Sequence, residues 1–351
     1  MKMKIIAGLA SAFFLTTTVF SQEYLLQVKP VGSKTWGYAN EKGEIVIKPQ
    51  FEKCHKFSAE GLAPIYDQKA KQYYFINTKG ERVNTEVKDF KLIDRFGFDL
   101  EGFTDGLIPI KQGEKWGFLN AEGKVAIPAK YDKVTGFSDG HAVAVLNEKQ
   151  FILNTSGEES SVEGSGTLEV REFHDGLAPI RAADKKFGYV DASGKVVIKP
   201  QFESVGYFAD GLAWAETADK KVGFIDKTGA WVIKPQFSVA KELDPSTGLA
   251  RVKTGDNWGY VNKNGEVLSI KDSEYWGDFS DGLAAGKKDG KVGFFNSKGE
   301  WVIQPQFEGT RGFKNGYAAV EKDKNWGTID TSGNWVIKPT FDRVMDVEVV
   351  K

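Results

Sequence analysis

The sequence has one cysteine, Cys54, and three histidines, His55, His141 and His174, so it is poor in the residues that most often hold zinc or form a nucleophile–base pair. A single cysteine excludes an intramolecular disulfide, and stability has to come from burial. Cys54 and His55 are adjacent and would point to opposite faces of a strand, and Cys54 occupies a place held by Val134 and Val205 elsewhere in the chain. It therefore reads as a buried structural thiol. With no second cysteine and no histidines at ligand spacing, no metal site is expected. The sequence also lacks a Gly-x-Ser-x-Gly elbow, a Gly-x-Gly-x-x-Gly fingerprint and a Gly-Lys-Ser/Thr loop, so no catalytic residue and no cofactor are nominated. A carboxylate pair assembled by the fold, as in glycoside hydrolysis, is kept as an alternative.

An excess of positive charge is also missing. There are 47 basic residues against 48 acidic ones, which excludes a basic nucleic-acid binder. Only one long uncharged run occurs, Ile5 to Phe20, preceded by Lys2 and Lys4 and followed by Val19-Phe20-Ser21-Gln22. It is shorter than a bilayer span and has the layout of a secretory signal peptide cleaved after Ser21. The expectation is residues 1–21 as signal peptide and 22–351 as an exported chain, periplasmic or secreted, with no membrane span.

What the sequence does have is self-similarity. A pattern of Trp-Gly-aromatic, apolar, Asn or Asp, two polar residues and Gly begins at Trp36, Tyr73, Trp116, Gln150, Phe187, Val222, Trp258, Val292 and Trp326. The Asn/Asp place, from Asn40 to Asp330, and the Gly three residues later, from Gly43 to Gly333, are filled in all nine units. That pairing is the chemistry of a type I turn closed by a left-handed glycine, which predicts a hairpin. An apolar run with proline and an aromatic follows, as in Ile47-Lys48-Pro49-Gln50-Phe51 and Ile233-Lys234-Pro235-Gln236-Phe237, where proline is expected to end the strand. A second turn, Phe-x-Asp-Gly-Leu-Ala and variants, recurs at Phe103, Phe137, Phe173, Phe208, Phe279 and Phe313. Each unit then holds about four short strands, with units starting near 22, 60, 104, 140, 176, 211, 248, 282 and 316.

On these motifs the chain resembles the WG-repeat, or KWG-repeat, proteins over nearly all of its length past the signal peptide. The resemblance implies interaction without naming a partner.

The fold class expected is all-β: a tandem array of short antiparallel strands, an open β superhelix or solenoid in which units touch their neighbours, with a closed propeller-like ring as the alternative. Across the hairpin Asn40 should face Glu44. Gly37 should face Ile47 and leave room for that side chain, while Trp36 and Tyr38 share a face with Val46. Units six and eight carry Val222 and Val292 in place of Trp, but Trp231 and Trp301 nine residues on, which suggests one large residue exchanged for another.

Units two, four and seven break the pattern. They direct the search for binding residues to Tyr73 and Tyr74 in unit two and to Tyr275 and Trp276 in unit seven. The function this supports is a non-enzymatic interaction scaffold with a protein partner. A glycan is the alternative ligand, bound by aromatic stacking.

Overall fold

The computed structural model describes residues 23–95, 99–100, 102–162, 167–268, 270 and 273–350; the segment read as a signal peptide lies outside them. Among these residues every regular element is a strand, and the strands group into small antiparallel sheets, here called blades and numbered by their Trp-Gly-type strand. Blade 6 shows the plan: Ser204–Val205, Leu212–Glu216, Val222–Asp226 and Trp231–Phe237 lie side by side in chain order.

Of the three turns that join these strands, two are the repeated motifs. Between the first and second strands, Asp210 and Gly211 take φ of +51° and +83°, and Ala209 and Leu212 exchange backbone hydrogen bonds, which is the twist-matched two-residue hairpin. Between the third and fourth strands, Gly229 N–H donates to Asp226 O and Asp226 N–H to Ala230 O, while Asp226 Oδ1 accepts the N–H groups of Thr228 and Ala230. Asn40 and Glu44 of blade 1 face each other in the same way, as expected.

Each blade packs face to face between its neighbours. The apolar cluster holding Val222, Phe224 and Phe237 of blade 6 also holds Leu243, Ala250 and Val252 of blade 7. With both faces covered, the third strand is apolar almost throughout instead of alternating; Val222, Gly223, Phe224 and Ile225 are all buried.

The array is closed, not open. Trp335–Val350 is one long strand whose first half pairs with Asn325–Asp330 of blade 9 and whose second half pairs with Glu23–Pro30 of blade 1, Val28 opposite Val344 and Leu26 opposite Val347. Every unit hands its last strand to the next sheet, and unit nine hands its own to unit one. The expected open array gives way to its alternative, the closed ring, because Glu23–Pro30 is the second strand of its blade and the first strand comes from residues 341–350. Contacts around the ring agree: a Cβ on Gly80 would stand 3.0 Å from Ile47 of the preceding blade, one on Gly333 3.1 Å from Ile303, and one on Gly43 3.0 Å from Ile337 across the seam.

Two local expectations change as well. The outer strand does not end at proline: Ile45–Phe51 runs through Pro49, with register shifts between the pairs Tyr38–Ile47 and Trp36–Phe51. Residues 48–50 bulge opposite Gly37, on an edge strand where a missing N–H costs nothing. Tyr38 therefore pairs with Ile47, and both are buried, whereas Val46 is 47% exposed. The Trp exchange is not a swap within one unit. Trp231 packs on the cluster between blades 5 and 6 that also holds Phe187, with its ring 5.6 Å from that of Phe202, while Val222 belongs to the cluster between blades 6 and 7. Likewise Val292 and Trp335 meet in the cluster between blades 8 and 9. At the interface of blades 8 and 9 the small Val292 of one unit thus shares its cluster with the large Trp335 of the next.

Candidate functional site

The first strands of the blades surround the ring axis. Their Asp-Gly turns are tied blade to blade: the Asp105 carboxylate accepts the N–H of Gly140 at 2.8 Å, Asp139 that of Gly176 at 3.0 Å, Asp175 that of Gly211 at 2.8 Å, and Asp281 that of Gly316 at 2.8 Å. Glu60 does the same for Gly106. The repeated Asp thus holds the next unit in place while its own backbone makes the turn. Burial pushes the Asp175 carboxyl up, but Lys227, 2.7 Å away, and the Gly211 N–H outweigh it and leave the group below the usual carboxylate range.

Just inside these turns is an axial cavity of about 570 Å³ lined by residues from blades 2 to 6 and from the seam. The phenylalanines of the turn motifs belong to the core; Phe57, Phe103, Phe137, Phe173 and Phe208 are nearly inaccessible. The residues flanking those rings face the axis and differ from unit to unit. On one wall the Tyr207 hydroxyl donates to Glu172 Oε2 at 2.6 Å, and the His174 ring lies 4.2 Å from that of Tyr207. On another, Lys314 Nζ reaches both carboxylate oxygens of Glu348 at 2.7 and 2.8 Å, across the seam. A second cavity of about 500 Å³ continues along the axis, bordered by the Arg311–Asp346 ion pair at 2.7 Å. Among the described residues no group of three His, Cys, Asp or Glu side chains could hold a metal ion. Cys54 is buried, which pushes its thiol up, as a structural thiol requires.

A third cavity, about 350 Å³, lies at the outer edge of blade 2, between Gln72–Tyr74 and the segment 82–90.

The chain matches the WG containing repeat family over residues 36–66, 116–149, 187–220, 223–258, 258–291, 293–326 and 326–348. These segments make up well over half of it. The chain belongs to the WG containing repeat family. No curated protein matches it in sequence. Among solved structures it is similar to AztD from Citrobacter koseri, at 12% identity over 94% of this chain and 99% of that one, TM-score 0.42. It is also similar to BamB from Moraxella catarrhalis, at 14% identity over 76% and 92%, TM-score 0.40. A computationally designed protein, Ika8, aligns at 15% identity over 70% and 85%, TM-score 0.42.

The WG repeat glycine has a steric cause. A Cβ on Gly37 would stand 2.5 Å from the Ile47 carbonyl oxygen, and Gly117, Gly188, Gly223, Gly293 and Gly327 meet the same carbonyl at 2.3–2.5 Å. The neighbour is the backbone of the proline bulge, not a bulky side chain. In units two and four, where no matched segment begins and the bulge is absent, the place is held by Tyr74 and Phe151. Unit seven, whose proline run is also missing, keeps Gly259 with the nearest carbonyl at 3.2 Å.

The four residues nominated from sequence do not converge. Tyr73 and Tyr74 are on the third strand of blade 2 and line the outer cavity. Tyr275 and Trp276 are on the first strand of blade 8, paired with Lys287 and Gly286; their side chains lie outside what is described. The axial residues Glu172, His174, Tyr207 and Lys314 were not nominated. The signal was available in the positions on either side of each turn phenylalanine, but it acquires meaning only once the ring is closed.

Proposed function

We propose that this WG repeat protein is an exported, non-enzymatic ring scaffold that binds a partner protein at the axial face. One observation carries the reading: the framework residues of the turn motif repeat from blade to blade, whereas their axial neighbours run from Gly102 and Ser138 to His174, Tyr207 and Lys314. A frame held constant with a varied rim is what recognition on a rigid support requires. Export follows from the leader-like residues 1–21.

The test is cross-linking and retrieval from envelope and secreted fractions with the wild-type ring, a His174→Ala/Lys314→Ala variant, and a Lys199→Ala control on the outer strand of blade 5. The expected result is a specific protein held by wild type and control and lost by the axial variant. Retention that ignores the axial substitutions would overturn the reading, as would a cytoplasmic location of the full-length chain.

A further inference from the structure

Blade 2 departs from the regular blades at three linked places. Its outer strand, Arg82–Val83, stops after pairing with Phe75 and Ile76, where blade 1 continues to a Trp36–Phe51 pair. The chain then swings outward and returns to the core at Phe90, which stacks on Phe75 at 5.4 Å. The space that regular blades fill with the proline bulge is here the 350 Å³ cavity. Without a bulge, the glycine is not required, and Tyr74 stands in its place. Arg82 holds the place of Ile45, and its guanidinium carbon lies over the Tyr74 ring, 4.5 Å from its centroid. Two departures from the repeat therefore touch each other and line the cavity that a third one opens.

A guanidinium stacked on an aromatic face keeps its N–H fork free at the edge, and that fork fits a carboxylate. The side chains of Arg82, Lys88 and Asn84 are exposed and make no hydrogen bond among the described residues. Facing them are Asp89, which also lines the cavity, and Asp67, whose Oδ1 is engaged by the N–H groups of Lys69 and Ala70. The lining carries two cations against one anion. Sugar stacking is disfavoured, because Tyr74 has Arg82 on its ring and Tyr73 has Tyr66 at 4.9 Å, and both tyrosines also pack on core clusters.

We propose that this cavity seats a glutamate or aspartate side chain of an extended acidic peptide, gripped by the Arg82 fork with Lys88 as second cation. The volume is at the small end of ligand pockets and suits one side chain with its flanking backbone better than an oligosaccharide. The proposal rests on the protein-binding reading but uses a surface apart from the axial face, so either can fail alone.

The test is fluorescence anisotropy with capped, labelled hexapeptides carrying glutamate at successive positions, their glutamine counterparts, and free glucuronate and inorganic phosphate as competitors. Glutamate peptides should bind, weaken with salt, and lose about tenfold in Arg82→Gln, a change equivalent to ~1.4 kcal/mol; Lys88→Gln should lose less, and His174→Ala/Lys314→Ala nothing. Unchanged melting of Arg82→Gln would show that the loss is not unfolding, and Arg82→Lys, expected to melt as wild type, should recover only part of the binding. The proposal is overturned if no glutamate peptide binds, if the glutamine peptides bind equally, or if glucuronate or phosphate binds at this site and the peptides do not.

Discussion

Gly223 lies against the carbonyl oxygen of Ile233 so closely that a Cβ would be 2.4 Å away, whereas the corresponding contact of Gly259 with Leu268 is 3.2 Å. The first distance forces the proline bulge to move, and the second asks only a small adjustment. Gly223→Ala should cost about 3 kcal/mol or more, in the range of overpacked cores, and Gly259→Ala under ~1 kcal/mol. Urea unfolding of the two variants checks this. Equal losses would mean that the glycine is needed for something other than the bulge.

The strands, both turns and the repeat period are legible in the sequence because they are local. Asn40 to Gly43 encodes its hairpin whatever surrounds it, and Asp139-Gly140 does the same. The reason for Gly37 was misread because two register shifts cannot be seen in a period-two pattern; one slip moves Tyr38 from Val46 to Ile47. Ring closure stands only as the alternative in the sequence because it pairs residues 23–30 with 341–350, the longest separation in the chain. The blade 2 cavity was reached through Tyr73 and Tyr74, whose departure from Trp-Gly is visible without coordinates. The Arg82–Tyr74 contact was not, since an eight-residue offset marks neighbours only once the hairpin register is known.

The blade-to-blade ties should be separable from the turns that carry them. Asp139 sits at φ +51° and accepts the Gly176 N–H. Asp139→Asn keeps an acceptor and tolerates the left-handed conformation, so it should cost under ~1 kcal/mol; Asp139→Ala loses both and should cost about 2 kcal/mol. Thermal melts of the pair are the readout. If the two variants melt alike, the tie to blade 5 contributes nothing.

Acid should weaken the ring through its turn aspartates. Hydrogen bonds from Thr228 hold the Asp226 carboxyl below its usual range, and those from Ser193 do so for Asp191. For Asp330, burial pushes upward but the N–H groups of Asn334 and Ser332 outweigh it. A carboxyl whose folded pKa is depressed contributes stability above its unfolded value of about 3.9 and loses it as pH falls through the folded value. The triple variant Asp191→Asn/Asp226→Asn/Asp330→Asn, which copies the asparagine of other units, should show a flatter decline in Tm between about pH 5 and 2.5. A decline as steep as wild type would place the acid-sensitive groups elsewhere.

In blades 1, 5 and 7 a tyrosine hydroxyl crosses to the next blade: Tyr38 donates to His55 O at 2.6 Å, Tyr189 to Gly206 O at 2.8 Å and Tyr260 to Gly277 O at 2.5 Å. In blade 9 the place is taken by Thr328, fully buried, whose Oγ1 has no hydrogen-bond partner among the described residues. Its side chain is too short for the same reach. Thr328→Val keeps the shape and removes the unsatisfied hydroxyl, so it should stabilise the ring by about 1 kcal/mol in urea unfolding. A loss of that size would mean that the hydroxyl has a partner in solution.

The tryptophan exchange gives the sharpest test of how the units are coupled. If bulk were traded within unit six, Val222→Trp would restore what Trp231→Val removes. In the ring the two residues serve different interfaces: Trp231 fills the one behind it with Phe187 and Phe202, and Val222 is packed with Trp214 in the one ahead. Trp231→Val should leave a void costing about 2 to 3 kcal/mol, and Val222→Trp should overpack its cluster by about 1 to 3 kcal/mol. Because the two clusters share no residue, the losses should add in the double variant to within about 0.5 kcal/mol. Phe187→Trp is the substitution expected to recover part of the Trp231→Val loss, because it enlarges a neighbour of the same void. Recovery by Val222→Trp and not by Phe187→Trp would return the exchange to a single unit and contradict the interface assignment.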